Sequence, residues 1–290
     1  MATAAGIARN LGAKRQGNGW RHPCLLCGYP MSLRDCEGGR LLINCFVGGC
    51  DFSDIMADLR ERDLLDDDDA DDDPTPCENV QPVRDDAQRI KCARPIYAQA
   101  GHGPLVARYL GEGRLITLPP PAILREHPCC PHRLRIRLPA MVAPVVDRAG
   151  AIVGVHMTYL TPDGRAKAGF KNPENQRETR GLIRGGVIRL HPHDPDRELL
   201  ISEGIETALS AAQIFKLPAW AAIYAKNLRN TLELPEAVRA IVVACDNDLA
   251  GVQAARGARD RWTAQGRSVR VVMPSEPGLD FNDVLRRRAR

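Results

Sequence analysis

Three carboxylate groups in the last third of the chain have a spacing that could do chemistry. Leu199-Leu-Ile-Ser202 is an apolar run that stops at Glu203-Gly204 and turns at once into Ile205-Glu206-Thr207. Ile241-Val-Val-Ala-Cys245 stops in the same way at Asp246-Asn247-Asp248, and Asp280-Phe-Asn-Asp283 follows the last apolar run. Such runs are strand-sized, and an acid at their end lies where open parallel sheets form their sites. Hard oxygen donors with no histidine among them suit Mg2+ or Mn2+. A pair of such ions can activate an attacking hydroxyl and stabilise a leaving oxygen in phosphoryl transfer. Asp and Glu also favour helix N-termini, which would account for one such acid. Three groups together favour metal, with Glu203, Asp246, Asp248, Asp280 and Asp283 as expected ligands.

A second constellation lies near the N-terminus. Cys24-Leu-Leu-Cys27 precedes Cys45-Phe-Val-Gly-Gly-Cys50 by a seventeen-residue excursion. Two short pairs at this spacing fit a tetrahedral thiolate site, so Cys24, Cys27, Cys45 and Cys50 are expected to hold Zn2+. Four ligands close the site, which makes the zinc structural. Met31–Leu33 and Arg40–Asn44 can pair as the hairpin of a zinc ribbon. Cys36 and His22 are possible substitute ligands, though neither completes a better pair, and reduced buried thiols are the alternative to metal. The run His127-Pro-Cys129-Cys130-Pro-His132 also looks metal-like, but adjacent cysteines aim poorly at one ion and a loop with free thiols is expected. His191 and His193 are expected to be exposed loop residues.

Elements able to position the carboxylates follow from the alternation of patterns. Glu198–Ser202, Ala219–Tyr224, Arg239–Cys245 and Val269–Met273 read as strands; Glu206–Lys216 and the Ala-rich stretch Ala250–Gln265, closed by Gly266, read as helices. Alternating strands and helices predict a mainly parallel sheet covered on both faces. Upstream, Leu105–Leu110 has helical spacing, and Arg137–Val146 and Ile152–Leu160 read as extended around the turn Asp147-Arg-Ala-Gly150. The predicted organisation is an N-terminal zinc ribbon over 1–65, a linker over 66–88, a mixed α+β subdomain over 89–196 and an α/β domain over 197–290.

Composition bounds the partners. The 290 residues are 44% hydrophobic and 26% charged, which excludes wholesale disorder. The longest apolar run, around Met141–Val146, is far short of the ~18 residues of a membrane span, and Met1–Gln16 has no apolar core for a secretory signal. Ten cysteines without an export signal favour metal over disulfides, and the cytoplasm is the expected location. Net charge is only +4, yet residues 51–86 carry fifteen acids against three bases. Removing them leaves 37 basic and 21 acidic residues, a body of +16 that suits a polyanionic partner such as nucleic acid. Seven carboxylates within 66–73 repel one another and read as solvated linker. Aromatics at 4% argue against recognition built on many base-stacking rings.

The motifs Glu203-Gly-Ile-Glu-Thr-Ala-Leu-Ser, Ala244-Cys-Asp-Asn-Asp-Leu-Ala-Gly and Gly278-Leu-Asp-Phe-Asn-Asp-Val resemble the toprim domain of primase-like proteins of plasmids, phages and integrated elements. The resemblance covers about 198–290. The zinc block, ending Asn44-Cys-Phe-Val-Gly-Gly-Cys-Asp, is similar to the primase zinc-binding domain, which often has a His for one Cys and a shorter last spacing. The stretches around Leu138, Gly150–Leu160 and Lys167 resemble the basic subdomain that precedes toprim. The resemblance implies a Rossmann-like C-terminal fold and a DNA primase making short RNA on single-stranded DNA from nucleoside triphosphates. Glu203, Asp246 and Asp248 would be catalytic, with Glu203 either a metal ligand or a general base. Arg135, Arg137, Lys167 and Lys171 would contact template phosphates or triphosphate. No G-x-x-x-x-G-K-[ST] loop occurs, so a replicative helicase is expected as a separate partner. A toprim nuclease using water as nucleophile and a non-catalytic nucleic-acid-binding accessory protein are the competing readings.

Overall fold

The structure, a computed structural model, describes residues 3–26, 28, 30–36, 41–45, 50, 52–62, 64–65 and 86–288. The chain divides into two compact units, Met1–Val83 and Arg84–Arg290.

In the first unit, α1 (Ala4–Leu11) begins where Thr3 Oγ1 accepts the Gly6 N–H and ends at Gly12, whose left-handed φ of 64° a side chain would strain. Four antiparallel strands follow in sequence order: β1 (Lys14–Gln16), β2 (Gly19–Pro23), β3 (Pro30–Asp35) and β4 (Leu41–Cys45). β4 alternates buried and half-buried residues, as the period of a strand with one apolar face requires. The expected hairpin is therefore present, with Met31 opposite Cys45, and two further strands and a helix precede it that the sequence reading had not placed. Ile7, Met31, Leu33, Leu41 and Ile43 bury against Ile55, Met56 and Leu59 of α2 (Phe52–Glu61). The stretch read as acidic linker lies outside the described residues as far as 85, and its last three positions open α3 (Asp86–Gln99).

The second unit holds two sheets. β5 (Arg125–Pro131), β6 (Arg137–Val146), β7 (Ile152–Tyr159) and β8 (Arg177–Gly181) form an antiparallel meander against which α3 packs. Between α3 and β5 lie α4 (Pro104–Arg108) and a single π turn, Tyr109–Gly113. The His127–His132 run, expected as a loop, is instead mostly edge strand β5. A bulge between His127 and Cys130 absorbs the Pro128–Cys129 pair, and an edge position tolerates prolines that cannot donate to a ladder. His191 and His193 are half-buried rather than exposed: the His191 ring accepts the Ala219 N–H, and His193 meets the Trp220 ring edge-on.

The parallel sheet has the order β10-β9-β11-β12, built from β9 (Leu199–Ser202), β10 (Ala219–Ala221), β11 (Ala240–Ala244) and β12 (Ser268–Val272). Strand period sorts its side chains by face. Leu200, Val242 and Ala244 pack with α5 (Ile205–Phe215), whereas Leu199, Ile201, Ile241 and Val243 pack with Trp220 and with Ala254, Ala258 and Trp262 of α6 (Leu249–Ala264). The last helix, α7 (Phe281–Arg288), lies against α5. Val187 bridges to Val146 of β6 and Ile188 to Ala221 of β10, so one short segment joins the two sheets. Among the described residues no helix is long and apolar enough to cross a membrane.

Candidate functional site

The thiolates converge in the first unit. Cys24 follows β2 and Cys45 ends β4, and the Sγ atoms of Cys24, Cys45 and Cys50 all lie within 4.8 Å of one another. Gly28, at φ 73°, donates its N–H to the Cys24 carbonyl at 2.7 Å, closing the tight turn of the first knuckle. Cys27 lies outside the described residues. Cys36 and His22 do not join the group, and the His22 ring is engaged with the Pro23 carbonyl. Two of the three cysteines are almost wholly buried, a soft donor set that fits a closed Zn2+ site.

In the second unit the sheet delivers the carboxylates. Ser202 of β9 pairs with Ala244 of β11, so Glu203 and the Cys245–Asp246 step leave adjacent strands at the same level. Asp248 caps α6, its Oδ1 accepting the Gly251 N–H at 2.7 Å. Helix and loop approach so closely here that a Cβ on Gly251 would stand 2.5 Å from the Asp246 carbonyl oxygen. Asn247 then fastens the next loop: its N–H donates to the Leu279 carbonyl, its side chain to the Pro274 carbonyl, and its own carbonyl accepts the Gly278 N–H. That zipper sets Asp280 beside the cluster. Asp280 and Asp283 cap each other reciprocally at the start of α7, so Asp283 serves the helix end.

Electrostatics identify the group as a unit. Burial raises Asp246 above the ordinary carboxylate value, to about 7, helped by Glu203, Asp280 and Asp248 and opposed by Arg177. Burial likewise raises Glu203, with Arg177 opposing and Asp248 adding to the rise, and it raises Asp280. Asp246 Oδ1 is buried without a hydrogen-bond partner. An orphaned oxygen amid like charges is a costly arrangement for a protein alone, and a hard cation relieves it. No three of these acids bring their oxygens within 4.8 Å of one another, unlike the thiolates. This spacing suits Mg2+, which takes one or two carboxylates per ion and leaves its other positions to water and phosphate.

Beside the cluster lies a buried network that the sequence reading missed. Glu206, three residues past Glu203, accepts from Lys167 Nζ at 2.7 Å and from the Tyr109 hydroxyl at 2.7 Å; Arg114 Nε donates to that hydroxyl at 3.0 Å. Burial alone would raise Glu206, but Lys167, Arg177 and the Tyr109 hydrogen bond hold it far below the carboxylate range. Asn282 of α7 donates to the Arg114 carbonyl and to Ser210 Oγ, tying the residues around 110 to α5 and α7. A carboxylate within the apolar run Ile205–Leu209 was the available signal, masked by its reading as an ordinary helical position. Arg177, at the exposed start of β8, had no sequence signal at all. Lys167 is thus engaged by Glu206. Arg135 sits at the β5–β6 hairpin tip, Arg137 opens β6, and Lys171 is exposed before the turn Pro173–Gln176. The structure does not draw these three to the carboxylates through any ion pair among the described residues.

Comparison with known proteins bears on both halves of this unit. Residues 198–290 match the family described as toprim domain, and residues 87–190 a domain of unknown function (DUF7146). Among curated proteins none matches this chain. Similar solved structures include the primase fragment of the bacteriophage T7 primase-helicase protein, at 20% identity and a TM-score of 0.37, over 52% of this chain and 61% of that one. A DNA primase domain from Pseudomonas aeruginosa is 19% identical with a TM-score of 0.37, covering 53% of this chain and 48% of that one. The Aquifex aeolicus primase (zinc-binding and RNA polymerase domains) is 11% identical with a TM-score of 0.39, over 97% and 78% respectively. The chain thus spans less than two thirds of the T7 and Pseudomonas structures. These likenesses are distant, and the assignment rests on the toprim match and on the acids at the strand ends. Residues 198–290, the parallel sheet with the carboxylates at its strand ends, are thus similar to a toprim domain.

Proposed function

We propose that this chain is a DNA primase, synthesising short RNA primers on single-stranded DNA by metal-dependent nucleotidyl transfer. The observation that carries the reading is the toprim carboxylate cluster, in which Glu203 and Asp246 stand at adjacent strand ends and Asp246 keeps a buried oxygen without a partner. Mg2+ or Mn2+, when bound, would lower the pKa of a primer 3′-hydroxyl and neutralise the triphosphate. Glu203, Asp246 and Asp248 are the residues that would hold it, with Asp280 contributing from the α7 end. Burial, reinforced by the neighbouring acids, keeps a proton on Asp246 for much of the time near neutral pH. Arg177, the exposed cation that lowers the Asp246 value, is proposed to orient an incoming phosphate. Arg135, Arg137 and Lys171 are proposed for phosphates of template or nucleotide, since such contacts need cations and not sequence-reading groups. Lys167, paired with Glu206, is proposed to hold the wall of the site and to face triphosphate from there. Cys24, Cys27, Cys45 and Cys50 would hold a structural Zn2+ that rigidifies a template-engaging ribbon. Unwinding, where needed, would come from a separate helicase.

The test is direct. Purified protein with single-stranded DNA, ribonucleotides and Mn2+ should yield short oligoribonucleotides, and Asp246→Ala should abolish them. Cleavage of the DNA without synthesis would instead assign the same acids to hydrolysis.

A further inference from the structure

The loop that leaves β10 holds a backbone conformation its own residue disfavours. Ile223 is buried at φ 79°, in the left-handed region, where a β-branched side chain is strained. The loop's hydrogen bonds run to the start of the carboxylate site. The Ala222 N–H donates to the Ser202 carbonyl at 2.8 Å and extends the β9–β10 ladder by one residue. The Ile223 N–H then donates to the Glu203 carbonyl at 2.7 Å, and the Ala225 N–H to the Glu203 carboxylate. This strained turn therefore grips both the main chain and the side chain of Glu203.

Such a conformation persists only where its surroundings over-determine it. Here the constraint is Asn227, wholly buried at the start of a single π turn, Asn227–Thr231. Its Nδ2 donates to the Ala222 carbonyl and to the Gly186 carbonyl, each at 2.8 Å. Its Oδ1 accepts the Gly185 N–H at 2.9 Å and the Thr231 hydroxyl at 2.7 Å. An amide side chain offers two donor hydrogens and two lone pairs, so every position is filled. Gly185 and Gly186 immediately precede Val187 and Ile188, the bridge between the two sheets. One side chain thus ties that bridge, the turn after β10 and the π turn together. Packing alone would not call for it, because a buried amide is costly unless each of its bonds is made.

We propose that Asn227 is a positioning residue of the carboxylate site: by clamping the Ala222 carbonyl it keeps the Ile223 turn in its strained form, and that turn aims Glu203 at the strand-end cluster. The strain gives the clamp its purpose. Without Asn227 the turn relaxes out of the left-handed region and carries its two N–H donors away from Glu203. A ligand already held in place binds a cation more tightly than one that must first be ordered. The inference rests on the reading of Glu203, Asp246 and Asp248 as a divalent-metal site and extends it to a residue that acts only through the loop.

The experiment pairs calorimetric titration of Mn2+ into the full chain with amide hydrogen exchange in EDTA. Asn227→Ala should weaken Mn2+ binding roughly tenfold, as loss of one hydrogen bond to a charged group would. It should also speed exchange at Ile223 and Ala225 relative to the central strand β11. Asn227→Ala/Ile223→Gly should recover most of the lost affinity, because glycine occupies the left-handed region without strain. General loosening of the core predicts the reverse, since the double variant also loses a buried side chain and is the less stable of the two. Thr231→Val removes a single bond to Asn227 and should weaken Mn2+ binding about twofold, which keeps the test open should Asn227→Ala not fold. Native Mn2+ affinity in these clamp variants, or a double variant that binds more weakly than Asn227→Ala, overturns the inference while leaving the metal site standing. Native protein that binds no Mn2+ overturns the reading of the site itself, so the two failures are told apart.

Discussion

Asp246 is the residue where structure predicts the largest conflict between stability and chemistry. Its ordinary value of 3.8 is raised to about 7 by burial and by the neighbouring acids. The native state therefore holds this proton more tightly than the unfolded chain does. Stability carries no penalty from the group below pH 3.8, loses ground as pH rises through that value, and bears the full penalty above 7. At roughly 1.36 kcal/mol per pKa unit, the metal-free cost is about 2 kcal/mol at pH 5 and about 4 kcal/mol at pH 8. Asp246→Asn removes the charge and keeps the shape. In EDTA the variant should exceed the native protein in stability, by about 2–3 kcal/mol more at pH 8 than at pH 5. Urea unfolding at both pH values, followed by circular dichroism, reads this directly. Adding Mn2+ at a hundred times its Kd should then stabilise native protein by about 2.7 kcal/mol and the variant far less. A variant less stable than native protein at pH 8 without metal, or equally stabilised by Mn2+, would refute the claim that crowded charge at Asp246 awaits a cation.

Three further outcomes follow from named contacts. Lys167→Met or Glu206→Gln leaves half of a buried pair uncompensated and should cost about 3–5 kcal/mol in urea unfolding, whereas Lys167→Met/Glu206→Leu should recover most of that loss. Gly251→Ala drives a methyl into the Asp246 carbonyl; it should lower stability by about 1–3 kcal/mol and weaken Mn2+ binding in calorimetry, because the Asp246–Asp248 loop must move. Cys45→Ser should release zinc, measured with a chromogenic chelator after thiol modification, and should lower the protease resistance of residues 3–65 while leaving the unit from Arg84 onward intact.

The parallel sheet and its acids were legible in local pattern. Apolar runs of four or five residues bounded by Glu203-Gly204 and Asp246-Asn-Asp248 point to buried strands with acids at their ends, and the cysteine spacing points to thiolates that meet, as Cys24, Cys45 and Cys50 do. Local pattern suffices there because strand period and turn chemistry act within a few residues. The bulged edge strand at His127–Pro131 was not legible, since prolines signal a loop unless a neighbouring strand is known to lie beside them. Nor was the burial of Glu206, whose partners Tyr109, Arg114 and Lys167 lie between 39 and 97 positions away along the chain. Only the packing of distant segments settles that Lys167 is engaged by a carboxylate, that Asn247 zips the loop carrying Asp280 to the strand ends, and that Asp246 Oδ1 is buried without a partner. Each depends on low-dielectric contacts between segments distant in sequence, where the strength of a charge is set by what surrounds it and not by what precedes it in the chain.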